Sequence, residues 1–356
     1  MSGRCPGPES LPDTGLMMRR AFTPAVEHEP CRSTTARPYT ALMPLRPLHS
    51  LSAAIGHTPV VQLRRLPAAK SAAVFVKLEY CNPTGSYKDR MALAMVEGAE
   101  ARGALTPGMR VVEFTGGSTG SSLAMVCAAK GYRCVLLSSD AFAREKIQTM
   151  EAFGAEVELI ASDAGAVTPA LFARFRERIA VMNAEPGTWW ADQFHNTDAL
   201  TGYQDIGSEL LDQVGTIDAF CGAVGTAGML VGVSRALKAA GCAARIVALE
   251  PSTSPMLTAG HGGPHRVEGT ASGAVPPHLT AADYDEARAI DEEEARDVAR
   301  RLAREEGIFA GTSSGLNVAA ALRLARELGA GRSVATVAVD SGLKYLAGDL
   351  FRVQGS

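Results

Sequence analysis

From Leu51 onward the chain alternates short apolar runs with longer stretches of helical spacing. The runs Ala73-Val74-Phe75-Val76-Lys77-Leu78-Glu79, Arg110-Val111-Val112-Glu113-Phe114, Cys134-Val135-Leu136-Leu137 and Val157-Glu158-Leu159-Ile160 read as strands. So do Ile217 to Cys221, Ile246 to Leu249 and Val334 to Val339, and a turn at Ile55-Gly56-His57-Thr58-Pro59 leads into the short run Val60-Val61. Helical spacing follows Lys88 to about Arg102, runs through Lys130, and then covers Ala143 to Phe153, Ala166 to Met182 and Tyr203 to Val214. It returns up to Ala240, over Glu292 to Glu306 and over Leu316 to Leu328. Trp189-Trp190-Ala191-Asp192 reads as the entry to a loop, and Pro251 to Pro277 as a long Gly/Pro-rich loop. Strands alternating with helices of ten or more residues predict an α/β protein with parallel sheets covered on both faces. In such folds ligands bind beyond the carboxyl ends of the strands.

Three strand-to-helix turns at such places carry chemistry. The first is Asn82-Pro83-Thr84-Gly85-Ser86-Tyr87-Lys88-Asp89-Arg90, where Pro83 and Gly85 break the strand and Ser86 is the expected N-cap. A lysine at a helix N-terminus meets the positive end of the dipole, which disfavours its own charge and suits an amine nucleophile. The bland alternative is a surface lysine in a charged cluster. The loop Thr115-Gly116-Gly117-Ser118-Thr119-Gly120 offers two hydroxyls beside backbone N–H groups, which suits a carboxylate. Gly225-Thr226-Ala227-Gly228 precedes a helix directly and suits a phosphate, although tight strand–helix packing alone also produces such loops.

Composition narrows the partners. With 356 residues the chain is long enough for two domains sharing a cleft, and its net charge of −3 without a basic block argues against nucleic acid. No apolar run reaches the roughly 18 residues of a membrane span. Seven scattered cysteines, without a Cys-x-x-Cys pair, suggest free thiols in a reducing, cytoplasmic setting. Residues 1–45 are rich in Pro, Ser, Thr and Arg and read as a disordered extension; Met17 and Met18 are alternative starts, and Arg19-Arg20 lacks a following apolar segment. A nicotinamide site finds its acid in Asp140, but Ser118 stands where G-x-G-x-x-G requires its middle glycine. His261 and His265 lie in a loop without companion ligands, so no metal is expected. A lysine turn, a phosphate-suited loop and a carboxylate-suited loop together match what pyridoxal phosphate requires.

These motifs resemble the fold-type-II pyridoxal-phosphate enzymes of the cysteine synthase and cystathionine β-synthase group, in the family's order from Leu51 to Phe351. The resemblance implies two open, twisted, mainly parallel sheets with helices on both faces, as in tryptophan synthase β, and an active site in the interdomain cleft. It implies a larger cofactor-binding domain over 46–82 plus 192–356 and a smaller, mobile substrate-side domain over 83–191. Lys88 is the implied Schiff-base residue. Gly225, Thr226, Ala227, Gly228 and Met229 correspond to the phosphate loop, and Ser341 of Asp340-Ser341-Gly342 to the partner of the pyridine nitrogen. Thr115, Gly116, Gly117, Ser118 and Thr119, with Gln193, correspond to the substrate-carboxylate site, Ser118 also facing the cofactor. Glu306 to Gly315 is similar to a shared segment near that site.

Where the family usually reads Thr-Ser-Gly-Asn-Thr-Gly, this chain has Gly116 and Ser118; where it reads Gly-Thr-Gly-Gly-Thr, this chain has Ala227 and Met229. The implied reaction is β-replacement on an O-activated serine through an aminoacrylate, with sulfide or another small nucleophile, in a homodimer. A neutral hydroxyl at Ser341 favours loss of the β-substituent, while the adjacent Asp340, if it faced the ring instead, would invert that argument. The alternatives are β-elimination, a weakly catalytic binding or regulatory homologue, and a nicotinamide dehydrogenase.

Overall fold

The computed structural model describes Gly3, Leu48 and residues 50–165, 168–271 and 273–352. The extension expected over 1–45 lies, Gly3 apart, outside the described residues, as do Cys5 and Cys31.

The strands are β1 (Val60–Gln62), β2 (Ala73–Leu78), β3 (Arg110–Phe114), β4 (Arg133–Ser139), β5 (Glu156–Ile160), β6 (Thr188–Trp190), β7 (Ala219–Ala223), β8 (Arg245–Pro251), β9 (Glu286–Ile290) and β10 (Ser333–Ala338). The helices are α1 (Lys88–Ala101), α2 (Ser118–Lys130), α3 (Arg144–Ala152), α4 (Pro169–Asn183), α5 (Asp198–Val214), α6 (Gly228–Ala239), α7 (Met256–Ala259), α8 (Glu292–Arg301) and α9 (Thr312–Leu328). One sheet has the order β1-β2-β10-β7-β8-β9 and the other β5-β4-β3-β6. Among the named strands of the described residues only β1 pairs antiparallel, to β2; the other strand pairings are parallel.

Side chains alternate across each strand, and this decides which core they join. Phe220, Ile246 and Ala248 pack on the side of Ile206 and Leu230 from α5 and α6, whereas Ala219, Cys221, Val74 and Val76 pack with Val298 and Leu316 of α8 and α9. In the second sheet Val111 and Leu136 join Met95 and Leu123 of α1 and α2, while Val112, Phe114 and Leu137 meet Leu171 and Phe175 of α4. Both faces of both sheets are therefore covered, as near-continuous apolar strands require.

Strand order places the chemistry. In the smaller sheet the chain runs outward from β3 to β4 and β5, then returns to put β6 on the other side of β3. In the larger sheet β8 and β9 lie on one side of β7 and β10 on the other. Each reversal opens a crevice at the strands' carboxyl ends. The Thr115 loop and Gln193 leave β3 and β6 at one crevice, and the Gly225 loop and Ser341 leave β7 and β10 at the other.

Several boundaries differ from the sequence reading. β6 has three residues, and β9 is an edge strand whose charged side chains hide any apolar alternation. Within the long loop Met256–Ala259 forms α7, and the helix expected to Glu306 changes to a π-turn at Leu302–Glu306. α5 begins at Asp198 and α9 at Thr312, each a turn earlier than apolar spacing shows. The first turn of α9 is polar yet buried, and the Ser314 hydroxyl accepts from Val339 N at 2.9 Å. Ser86 is not the N-cap of α1; that position is Tyr87. Ser86 stays extended because it bridges to Asp340 while Tyr87 N donates to Val339 O, and its hydroxyl accepts from Lys88 N at 3.2 Å.

Candidate active site

Lys88 opens α1, and its side chain is buried beside two aromatic rings. Nζ lies 5.0 Å from the centroid of Tyr87 and 5.9 Å from that of Tyr203. Burial lowers its pKa to about 8, against the pull of the Asp340 carboxylate in the opposite direction. The helix terminus is thus not the main cause; lost hydration is. The lysine stands ready to lose its proton near neutrality, as an amine nucleophile or base must.

Asp340 is buried and accepts from the Tyr345 hydroxyl at 3.0 Å. Burial raises its pKa, while Lys344 and Lys146 oppose the rise. Ser341, next in the chain, instead lines a cavity of about 420 Å³, and its hydroxyl accepts from Leu343 N at 3.3 Å. Thr84, Ser118, Ser121, Lys146 and Lys344 also line that cavity.

The Thr115 loop is tied by its own hydroxyls. Thr115 Oγ1 accepts from Gly117 N at 3.0 Å and from Gly120 N at 3.2 Å. Gly117 has φ +138, and an added Cβ would lie 2.4 Å from Cδ of Lys146, so only glycine lets that side chain lie across the loop. Thr119 Oγ1 donates to Gln193 Oε1 at 2.7 Å, and Gln193 Nε2 donates to Phe114 O at 3.1 Å. The structure therefore brings Thr115, Gly116, Gly117, Ser118, Thr119 and Gln193 together at the β3–β6 crevice. Gly116 carries a further message: its missing Cβ would stand 2.9 Å from Cε1 of Phe142, whose ring fills that space.

The Gly225 loop lies at the start of α6, which no side chain caps. Ala227 occupies the left-handed region at φ +65, and Met229 is buried with its Cε beside Gly222. Met229 thus offers the loop only its backbone N–H. Gly228 is pressed against Tyr203, where a Cβ would be 3.0 Å from Cε2. Tyr203 thus packs against this loop and lies 5.9 Å, centroid to Nζ, from Lys88.

Three residues near the site were missed in the sequence: Lys146 and Lys344, which carried no signal of their own, and Glu113. The Lys146 ammonium pairs with Glu268 and lies 5.5 Å from the Tyr345 centroid. Lys344 Nζ is buried without a hydrogen-bond partner among the described residues. Glu113 shows only as a charge inside an apolar strand, which was the available clue. Asp140, weighed as a ribose ligand, is taken by Ser162 N at 2.8 Å. The Nε2 of His265 meets the Ala271 carbonyl at 3.1 Å.

Residues 51–340 match the family model described as pyridoxal-phosphate dependent enzyme, and the chain belongs to that family. Among its relatives is a cysteine synthase of Staphylococcus aureus, 40% identical over 312 residues, or 87% of this chain and 99% of that one. An O-ureido-L-serine synthase of Streptomyces lavendulae is 41% identical over 313 residues, covering 87% of this chain and 94% of that one. A crystal structure of an O-ureido-L-serine synthase superposes with a TM-score of 0.80 at 38% identity, covering 87% of this chain and 98% of that one. The cysteine synthase of Entamoeba histolytica does so with a TM-score of 0.81 at 30% identity, over 91% and 95% of the two chains. The fold is accordingly that of the fold-type-II enzymes, and the cofactor is pyridoxal 5'-phosphate. The residues present fit it: a buried lysine of lowered pKa, and an uncapped helix N-terminus whose N–H groups suit a phosphate.

Proposed function

We propose that the chain catalyses β-replacement on an O-activated L-serine in the manner of a cysteine synthase, with sulfide or another small nucleophile entering at Cβ. The observation that carries this reading is a lysine shifted toward its neutral form beside a loop-and-glutamine cradle at the β3–β6 crevice. Lys88 would hold the cofactor and serve as general base for the α-proton. When bound, pyridoxal phosphate supplies a ring that spreads the charge left on Cα. Gly225 to Met229 would take its phosphate through backbone N–H groups, and Ser341 would face its ring nitrogen. Thr115, Gly116, Gly117, Ser118, Thr119 and Gln193 would hold the substrate carboxylate.

A neutral hydroxyl at Ser341 would leave the ring nitrogen less charged than a carboxylate partner would, which would favour departure of the β-substituent. Asp340 is hydrogen-bonded to Tyr345, which supports assigning the ring contact to Ser341. The space of residue 116 is filled by Phe142, so the β-substituent and nucleophile need not be those of the standard loop. Residues 83–191 are read as the mobile substrate-side part against 46–82 plus 192–356, and the enzyme as a cytoplasmic homodimer. Among the described residues no helix is long and apolar enough to cross a membrane.

The test is a panel of O-acetylserine, O-phosphoserine, serine and cysteine, with the bound cofactor's absorbance followed on each addition and the product identified with sulfide or hydroxyurea. A new amino acid bearing the added nucleophile supports the reading. Pyruvate and ammonia as the only products would replace it with β-elimination, and no spectral response to any donor would sink both.

A further inference from the structure

Glu113 is fully buried near the end of β3, one residue before Phe114 and two before Thr115. Its carboxylate has no ion-pair partner among the described residues, and backbone and indole donors hold it instead. Oε1 accepts from Phe114 N at 2.8 Å and from Trp190 Nε1 at 3.4 Å, and Oε2 accepts from Gln193 N at 2.9 Å. A buried carboxylate with no cation costs stability that simple packing would not require. This one joins the two backbone segments that meet at the crevice. The first leads to the Thr115 loop, and the second carries Gln193, whose side chain is bonded to Thr119 and Phe114.

We propose that Glu113 is a positioning residue: its ionised carboxylate grips Gln193 N and Phe114 N and so sets Gln193 and the Thr115 loop at the spacing a substrate carboxylate needs. This rests on the assignment of those segments to the substrate carboxylate made above. Protonation puts a hydrogen on one oxygen while the N–H groups it faces still point at it, so one grip loosens. Burial raises the pKa of Glu113 to about 7, partly offset by the hydrogen bonds from Gln193, Phe114 and Trp190. The grip is therefore complete above neutral pH and partial below it. Other titratable groups around it are Asp192 beside Gln193, the buried Cys134 thiol on β4, and His195 and His278 about the same segment.

The experiment uses the cofactor-loaded full chain as wild type, Glu113→Gln, Trp190→Phe and Gln193→Ala, with KM and kcat for O-acetylserine measured from about pH 6 to about pH 8.5. The amide of Glu113→Gln keeps one acceptor and turns an NH₂ toward the other N–H. Its KM relative to wild type should rise from near parity at the acid end to about tenfold at the alkaline end, with kcat within about twofold, as loss of one charge-assisted bond predicts. Lys88 and the substrate amine titrate in both enzymes and cancel in the ratio. Trp190→Phe removes one donor to the charged form and should move the wild-type transition to higher pH, a result that does not depend on Glu113→Gln folding. A ratio flat with pH, or an unmoved transition in Trp190→Phe, overturns the proposal while a raised KM in Gln193→Ala keeps the substrate site standing. An unchanged KM in Gln193→Ala overturns both, since Glu113 would then have nothing to position.

Discussion

The ammonium of Lys77 lies 2.7 Å from Oε2 of Glu209, deep between β2 and α5, and Glu209 Oε1 takes Arg90 NH1 at the same distance. Lys77 also donates to Thr58 O and Gln213 Oε1, and Arg90 to Glu79. One carboxylate thus joins the strand before Lys88 to the helix that Lys88 opens. Glu209→Ala would leave two buried cations without it and should cost about 3–5 kcal/mol, read by denaturant unfolding. Burial alone would raise the pKa of Glu209, but hydrogen bonds from Arg90 and Lys77 outweigh it and hold it at about 2. A depressed acid stabilises the fold above its unfolded pKa and loses that contribution as pH falls. Wild type should therefore lose stability more steeply than Glu209→Ala between about pH 4.5 and about pH 2.

Lys88 gives a slope of the same sign in a higher pH window, because raising the pH relieves the cost of burying its charge. Its pKa falls from 10.5 unfolded to about 8 in the fold, so its contribution to the stability of the cofactor-free protein grows as pH rises across that window. Capture of pyridoxal phosphate should likewise accelerate through about pH 8 and level off, well below the transition of an ordinary lysine. Borohydride reduction should fix the cofactor to wild type and leave Lys88→Ala without it. A retained covalent adduct in that variant would remove Lys88 from its assigned role.

Gly116 and Phe142 form a complementary pair. A Cβ at 116 would sit 2.9 Å from the ring, so Gly116→Ser should destabilise by about 1–2 kcal/mol and weaken substrate binding. Adding Phe142→Leu should recover much of that loss, because the shorter side chain vacates the space. Strict additivity in the double-mutant cycle would show that the two positions are independent.

Lys146 spans from the Gly117 loop to Glu268 and lines the cavity. Lys146→Met keeps most of the stem and removes the charge. The cofactor's absorbance should stay unchanged while KM for the amino acid rises several-fold, an effect of about 1 kcal/mol. An altered cofactor spectrum with unaltered KM would place Lys146 against the cofactor instead of the substrate.

The lysine turn, both anion-suited loops and the alternating α/β pattern were legible in the residues. Each depends on local backbone chemistry, such as Pro83 and Gly85 ending a strand or apolar runs spaced by helical stretches. The edge strand β9 was not legible, because its alternation is carried by charges that pair with Glu327 and Arg245 from other elements. The polar first turn of α9 was hidden for a related reason: its hydroxyl side chains are buried, and Ser314 accepts from Val339 N just past β10, a partner only the fold supplies.

The chain by itself determined the fold class and marked Lys88 at a strand-to-helix turn as the candidate reactive lysine, because periodicity and turn residues act over a few neighbours. Tertiary structure decided what surrounds that lysine. Burial lowers its pKa, and the rings of Tyr87 and Tyr203 beside it, 116 residues apart in sequence (203 − 87), are brought to 5.2 Å between centroids. The grip of Glu113 on Gln193 likewise spans 80 residues and exists only because β6 returns to the side of β3. Burial and long-range pairing are properties of the packed chain, and they set the charge state and spacing on which the chemistry depends.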